Sequence, residues 1–240
     1  MYNPTVAWIT LRATMGRRRA LLLAIPPLIL IGTSAVLRLS HPAFEAWPAK
    51  ILGQFGFSVV LPLTALIIGT SVIGAEIDDG SIVGLLSTPV RRRSVILTKF
   101  AVAAAVTIVF AAVPELIAGL VATGGATRLA VGLFAGAVAS SVIYSALFVA
   151  LSAATTRALA AGLCYVLVWE GALANLVGGA RMLSAGHYGL AVASAIARDG
   201  HLAPGMGLAT AVVLGSAVTA AALAAGIRTL SSFSLRGDPA

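Results

Sequence analysis

The sequence predicts an all-α, polytopic membrane protein with six transmembrane helices and both termini in the cytoplasm. Three observations carry this. Of the 240 residues, 59% are hydrophobic and only 10% are charged, with a mean hydropathy of +1.01. A soluble domain carries about 25% charged residues. Six apolar segments each approach the roughly 20 residues that a helix needs to cross about 30 Å of hydrocarbon. Finally, Lys and Arg crowd into alternate connecting segments.

In order, the spans are Ala20–Leu37, Leu52–Ala75, Phe100–Thr123, Leu129–Ala154, Ala158–Val177 and Gly205–Ile227. Charges bound most of them: Arg19, Arg38, Glu76, Lys99, Arg128, Arg157, Arg181 and Arg228. Backbone groups in lipid must be paired within the segment, so these runs read as helices. Arg17, Arg18 and Arg19 before an apolar run resemble a secretory leader. Leader cores run about 7–15 residues, whereas Ala20–Leu37 runs for 18, which favours a retained span. Met182–Ala197 is apolar but has only 16 residues, and it contains Gly186, His187 and Gly189. It is expected as a re-entrant or surface-lying outer segment. With the N-terminus inside, the cytoplasmic pieces hold Arg12, Arg17, Arg18, Arg19, Arg91, Arg92, Arg93, Lys99, Arg157, Arg228 and Arg236. The outer pieces hold Arg38, Lys50, Arg128, Arg181 and Arg198. This is the positive-inside bias, and a seventh span would reverse Arg228 and Arg236.

One domain, 1–240, is therefore expected. It comprises an N-terminal interfacial segment (1–19), a cytoplasmic loop (76–99), an outer segment (178–204) and a cytoplasmic tail (228–240). Arg outnumbers Lys 14 to 2, a composition that hints at a GC-rich bacterial genome; the expected location of this multi-pass chain is the bacterial inner (plasma) membrane. The net charge of +8 belongs to cytoplasmic loops rather than to nucleic-acid binding. Cys164 is the single cysteine, which excludes a disulfide framework and a thiolate metal site. Lys50 and Lys99 follow Ala49 and Thr98, so no Gly-Lys P-loop exists. His41, His187 and His201 lack the H-E-x-x-H spacing. No catalytic residue, metal ligand or bound cofactor is expected in this chain.

The stretch Gly74–Phe100 gathers seven of the 24 charged residues. Asp78 or Asp79 can cap a short helix, and acids near its start suit the helix dipole. Ile82, Val83, Leu85 and Leu86 form a short apolar patch, which Pro89 ends. Arg91, Arg92 and Arg93 then lie at headgroup level. On the residues alone this is either a positive-inside anchor or an exposed interfacial helix. The fuller pattern is Glu76-x-x-x-Gly80-Ser81, then Leu85-Leu86, Pro89, Arg92 and Lys99. It resembles the signature loop of ABC-2 type ABC transporter permeases, with Ser81 in place of the usual threonine.

That resemblance implies an ABC-2 (type V exporter-like) transmembrane domain. Glu76, Asp78, Asp79, Gly80, Ser81, Leu85, Leu86, Pro89, Arg92 and Lys99 would form the coupling loop that docks on a separate ATPase subunit. Two ATPase copies, holding ATP and Mg, would drive a pair of permeases, either two copies of this chain or this chain with a relative. An interfacial helix before the first span is implied as well. Asn3-Pro4 suits its start, since proline fits the first helical position.

Two acids lie within spans, Glu115 and Glu170. Intramembrane acids are costly and mark function by default. At about 1.5 Å per residue, both fall in the outer half of the membrane. They are candidates for the translocation path, or for polar joints that fix packing. Pro114 is placed to kink the third span, and Pro26, Pro27 and Pro62 to do so in the first two. Gly132 and Gly136, followed by Ser140, allow close helix packing in the fourth. The function expected is an export permease. The alternatives are a proton- or ion-coupled secondary transporter using Glu115 and Glu170, and a membrane assembly protein without cargo.

Overall fold

The computed structural model describes residues 8, 10–11, 17–40, 47–78, 92–125, 127–176, 179–199 and 201–232, and every regular element among them is helical. The first is α1 (Arg17–Ser40). Next, α2 (Trp47–Ile51), a π-helical stretch (Leu52–Val60) and α3 (Leu61–Asp78) form one unbroken run. A second run joins α4 (Arg92–Thr107), a π stretch (Ile108–Ala112) and α5 (Val113–Thr123). After α6 (Thr127–Ala154) comes a third run: α7 (Ala158–Cys164), a π stretch (Tyr165–Leu173) and α8 (Ala174–Leu176). A 3-10 turn (Ala180–Leu183), α9 (Ala185–Ala197) and α10 (Leu208–Ser232) complete the order.

Five runs are long and apolar enough to cross a membrane: Leu22–Ser40, Trp47–Val72, Arg93–Thr123, Thr127–Ala154 and Leu208–Leu230. The fifth expected span, Ala158–Val177, is helical from Ala158 to Leu176, and its described apolar part, Ala158–Leu173, is shorter than the other five. The helices of the second and third spans also reach into the expected loop 76–99, through Asp78 on one side and from Arg92 on the other. Val95 and Ile96 explain the second extension. They are buried with Leu23, Ile68, Val72 and Leu230, so apolar burial carries the helix past the charged residues.

Proline accounts for two of the three π stretches. Pro62 and Pro114 offer no N–H, and each ring would meet the carbonyl four residues back. The residue before each proline bonds five residues back instead: Leu61 N–H to Gly56 O, and Val113 N–H to Ile108 O. At Pro114 the helix answers with a widened turn, a local adjustment of the kind that tolerates proline in membranes.

The centre of the bundle is α6, which packs on α3, α4, α5, α9 and α10. Three of its four serines bond to neighbouring elements. Ser140 Oγ donates to Ala185 O of α9 at 2.9 Å, Ser145 Oγ to Thr107 Oγ1 of α4 at 3.3 Å, and Ser152 Oγ to Thr70 O of α3 at 3.2 Å. Its broadest contact is with α9. There a Cβ on Gly136 would overlap the Gly189 carbonyl, and one on Gly132 would come within 2.8 Å of Ala193 O. Small residues let the two backbones touch. With 13 residues α9 is about 20 Å long, too short to cross. It is buried along most of its length rather than lying on the surface. By contrast, α1 and α10 expose Leu22, Ile25, Leu28, Val212 and Val213, an apolar rim suited to lipid.

Candidate functional site

The residues of the expected coupling loop are placed unevenly. Glu76 and Asp78 lie in the last turn of α3, and Arg92 opens α4. Asp79, Gly80, Ser81, Leu85, Leu86 and Pro89 lie outside the described residues, as does the start of the N-terminal segment with Asn3-Pro4. Lys99 is fully inside. It is 1% exposed, and its Nζ donates to Val72 O of α3 at 2.6 Å. Arg93, six residues earlier, is exposed. The lysine expected at the mouth of the span is thus a cross-link between the two helices that carry the loop.

Glu170 sits in the third π stretch and is 1% exposed. Its Oε2 accepts from Ser184 Oγ at 2.5 Å. Its Oε1 accepts from Ala185 N and from Tyr165 Oη, each at 3.0 Å. Ser184 is also the N-cap of α9, accepting from His187 N at 3.3 Å. His187 Nδ1 lies 2.9 Å from the same hydroxyl. Ser184 has one proton, and it goes to Glu170, so Nδ1 is the donor in that second contact. Trp169 Nε1 donates to Leu183 O at 3.2 Å. The acid therefore ties the π stretch to the start of α9.

Glu115 follows the second π stretch and is 2% exposed. Its Oε1 has no hydrogen-bond partner among the described residues. The carboxyl fills a notch in the second span, where a Cβ on Gly56 would come within 2.5 Å of Oε2 and 2.6 Å of Oε1. The neighbouring residue, Phe57, turns its carbonyl to Gly186 of α9, whose own Cβ position lies 3.5 Å from Glu170 Oε2. One turn of the second span thus stands between the surroundings of the two acids. Spacing within either helix shows neither Gly56 nor Ser184 as a partner, because both lie on other elements.

A polar cavity of about 280 Å³ opens where the first π stretch, α9 and residues 201–203 meet. Lys50, Gln54, Ser58, Arg181, His187 and His201 supply its polar walls. Burial first, then the charge of Arg181, holds the His187 imidazole below its ordinary range. Among the described residues no group of three or more His, Cys, Asp or Glu is placed to hold a metal.

A bundle of long apolar helices, with two acids buried in its interior, defines a multi-pass membrane protein. Residues 32–194 match the model of the ABC-2 family transporter proteins. That is more than half of the chain, reaching from α1 into α9, and the protein belongs to this family. Membrane subunits of the family are generally not catalytic and work with an ABC ATPase. No curated protein matches the chain.

Proposed function

We propose that the chain is the transmembrane permease subunit of an ATP-driven exporter in a bacterial inner membrane. It would have six helices crossing or entering the bilayer and both termini in the cytoplasm. Two ATPase subunits, with ATP and Mg, supply the chemistry. A second permease, identical or related, completes the path. The observation that carries this reading is the Lys99–Val72 bond. It joins α3 and α4 just where they enter the segment with the Glu76 to Lys99 pattern. Two helices cross-linked in this way move together, so a push by an ATPase on the segment between them is passed to both spans. Glu76, Asp78 and Asp79 are suited to pair with basic groups of that partner.

The test is a mild-detergent pull-down of the tagged chain from its native host, with an ATPase assay on the eluate. A P-loop subunit is expected to co-purify, and Glu76→Arg to abolish ATP-dependent transport while leaving the purified chain's unfolding temperature unchanged. Normal transport by that variant with an intact ATPase would sink the proposal. The Oε1 of Glu115, without a partner among the described residues, favours one alternative, ion-coupled transport. Flux driven by a pH gradient without ATP, in liposomes holding this chain alone, would establish it instead.

A further inference from the structure

The polar cavity at the Lys50 end of the bundle has a consistent chemistry. Its charged and polar lining residues are Lys50, Arg181, His187, His201, Gln54 and Ser58, and among the described residues that line it there is no carboxylate. Each of these side chains except His187, whose Nδ1 proton goes to Ser184, can donate a hydrogen bond into the cavity, and Lys and Arg only donate. Clefts lined by one sign of charge, with low-dielectric walls, focus the field and concentrate counter-ions.

The cationic wall is also built rather than draped. Arg181 Nε donates to Ala174 O at 3.3 Å. Its stem runs over Gly205, where φ is +73° and a Cβ would come within 3.2 Å of Arg181 Cδ. On the opposite side, Gly53 lets the loop close over the second span, since a Cβ there would meet Leu202 Cδ2 at 3.0 Å and Leu190 Cδ2 at 3.4 Å. Those two leucines give the cavity one apolar flank. Drug-sized ligands occupy pockets of about 300–1,000 Å³, so about 280 Å³ suits a headgroup and the first carbons of a chain rather than a whole amphiphile.

We infer that this cavity binds a phosphate headgroup, with Lys50 and Arg181 as the charged contacts and His201, Gln54 and Ser58 as further hydrogen-bonding contacts. A lipid phosphate and a free phosphate ester share this chemistry. On the proposed topology the cavity faces outward, but binding does not depend on that orientation or on any ATPase.

The full chain, purified in a neutral maltoside detergent, is titrated by calorimetry with dodecyl phosphate, inorganic phosphate and neutral monolaurin. Saturable binding of dodecyl phosphate is expected. The double variant Lys50→Gln/His201→Gln weakens it by about tenfold or more. Gln54→Glu, at an exposed position, weakens it as well by placing a like charge on the wall. Arg128→Gln, which removes an exposed charge outside the cavity, changes it by less than about twofold. Binding of dodecyl phosphate without inorganic phosphate identifies a lipid headgroup. Displacement of dodecyl phosphate by inorganic phosphate identifies a soluble anion. The inference is overturned if monolaurin binds equally well, if both cavity variants bind like the parent, or if Arg128→Gln weakens binding as much as they do.

Discussion

Glu170 and Glu115 invite comparison because they are the same residue in nearly the same burial. Both lie in or beside a π stretch, and the second span's own π stretch runs between them. Around Glu170 three protein donors converge on the two carboxylate oxygens. Around Glu115 a glycine notch receives the carboxyl, and Oε1 finds no partner among the described residues. Buried polar atoms are nearly always bonded, and an exception calls for a reason other than stability. The first acid is a joint that fixes where α9 begins. The second is a polar group held in an apolar contact, which is where a path residue would be kept.

The largest effect should come from breaking the joint. Glu170→Met leaves Ser184 Oγ, Tyr165 Oη and Ala185 N without their acceptor. Stranding buried donors in this way costs about 3 kcal/mol. The purified variant should unfold at clearly lower temperature in detergent, and a midpoint equal to the parent's would erase the distinction between the two acids. Next comes Gly56→Ala, which drives a methyl into the Glu115 carboxyl and should cost about 1–3 kcal/mol. Because the clash is with one side chain, Glu115→Ala should relieve part of it. A double-mutant cycle should therefore show coupling of about 1 kcal/mol or more, and strict additivity would show that the notch is not where the strain lies.

This contrast was only half legible in the sequence. The acids themselves stood out, since a glutamate within an apolar run of span length is conspicuous. Their partners did not. Ser184 lies 14 residues from Glu170 across an irregular turn, and Gly56 lies on a different span from Glu115. Gly132 and Gly136 signalled a close contact by their four-residue spacing, yet the pattern could not name Gly189 and Ala193 as the surfaces met. Pro62 and Pro114 marked disturbed helix, but not that the disturbance is a π turn. Lys99 read as a boundary because it ends a charged stretch. Only the burial of Val95 and Ile96 shows why the helix begins earlier and carries the lysine inside. The fifth helix read as a full span on apolar length alone, and that length could not show that its middle, Tyr165–Leu173, is π-helical.

Smaller effects sharpen the contrast further. Ser184→Ala removes the N-cap of α9 and one donor to Glu170, but leaves Ala185 N and Tyr165 Oη bonded to the acid. A lost cap costs about 1 kcal/mol, so its unfolding temperature should fall between those of the parent and Glu170→Met. A fall as deep as that of Glu170→Met would mean that the serine, not the acid, organises the joint.

The smallest change in stability belongs to Glu115→Met. Methionine is of similar length and carries no polar group to strand. Replacing a poorly bonded buried polar group by an apolar one is nearly neutral or stabilising, by about 1 kcal/mol. The variant should therefore unfold at or above the parent's temperature. A loss as large as that of Glu170→Met would show that Glu115 is a second joint and that the comparison fails. If stability is kept while transport is lost, the fold has no use for this carboxyl and the path does. The acid would then stand opposite Gly56 because cargo or an ion must pass it, at a small and measurable expense in stability.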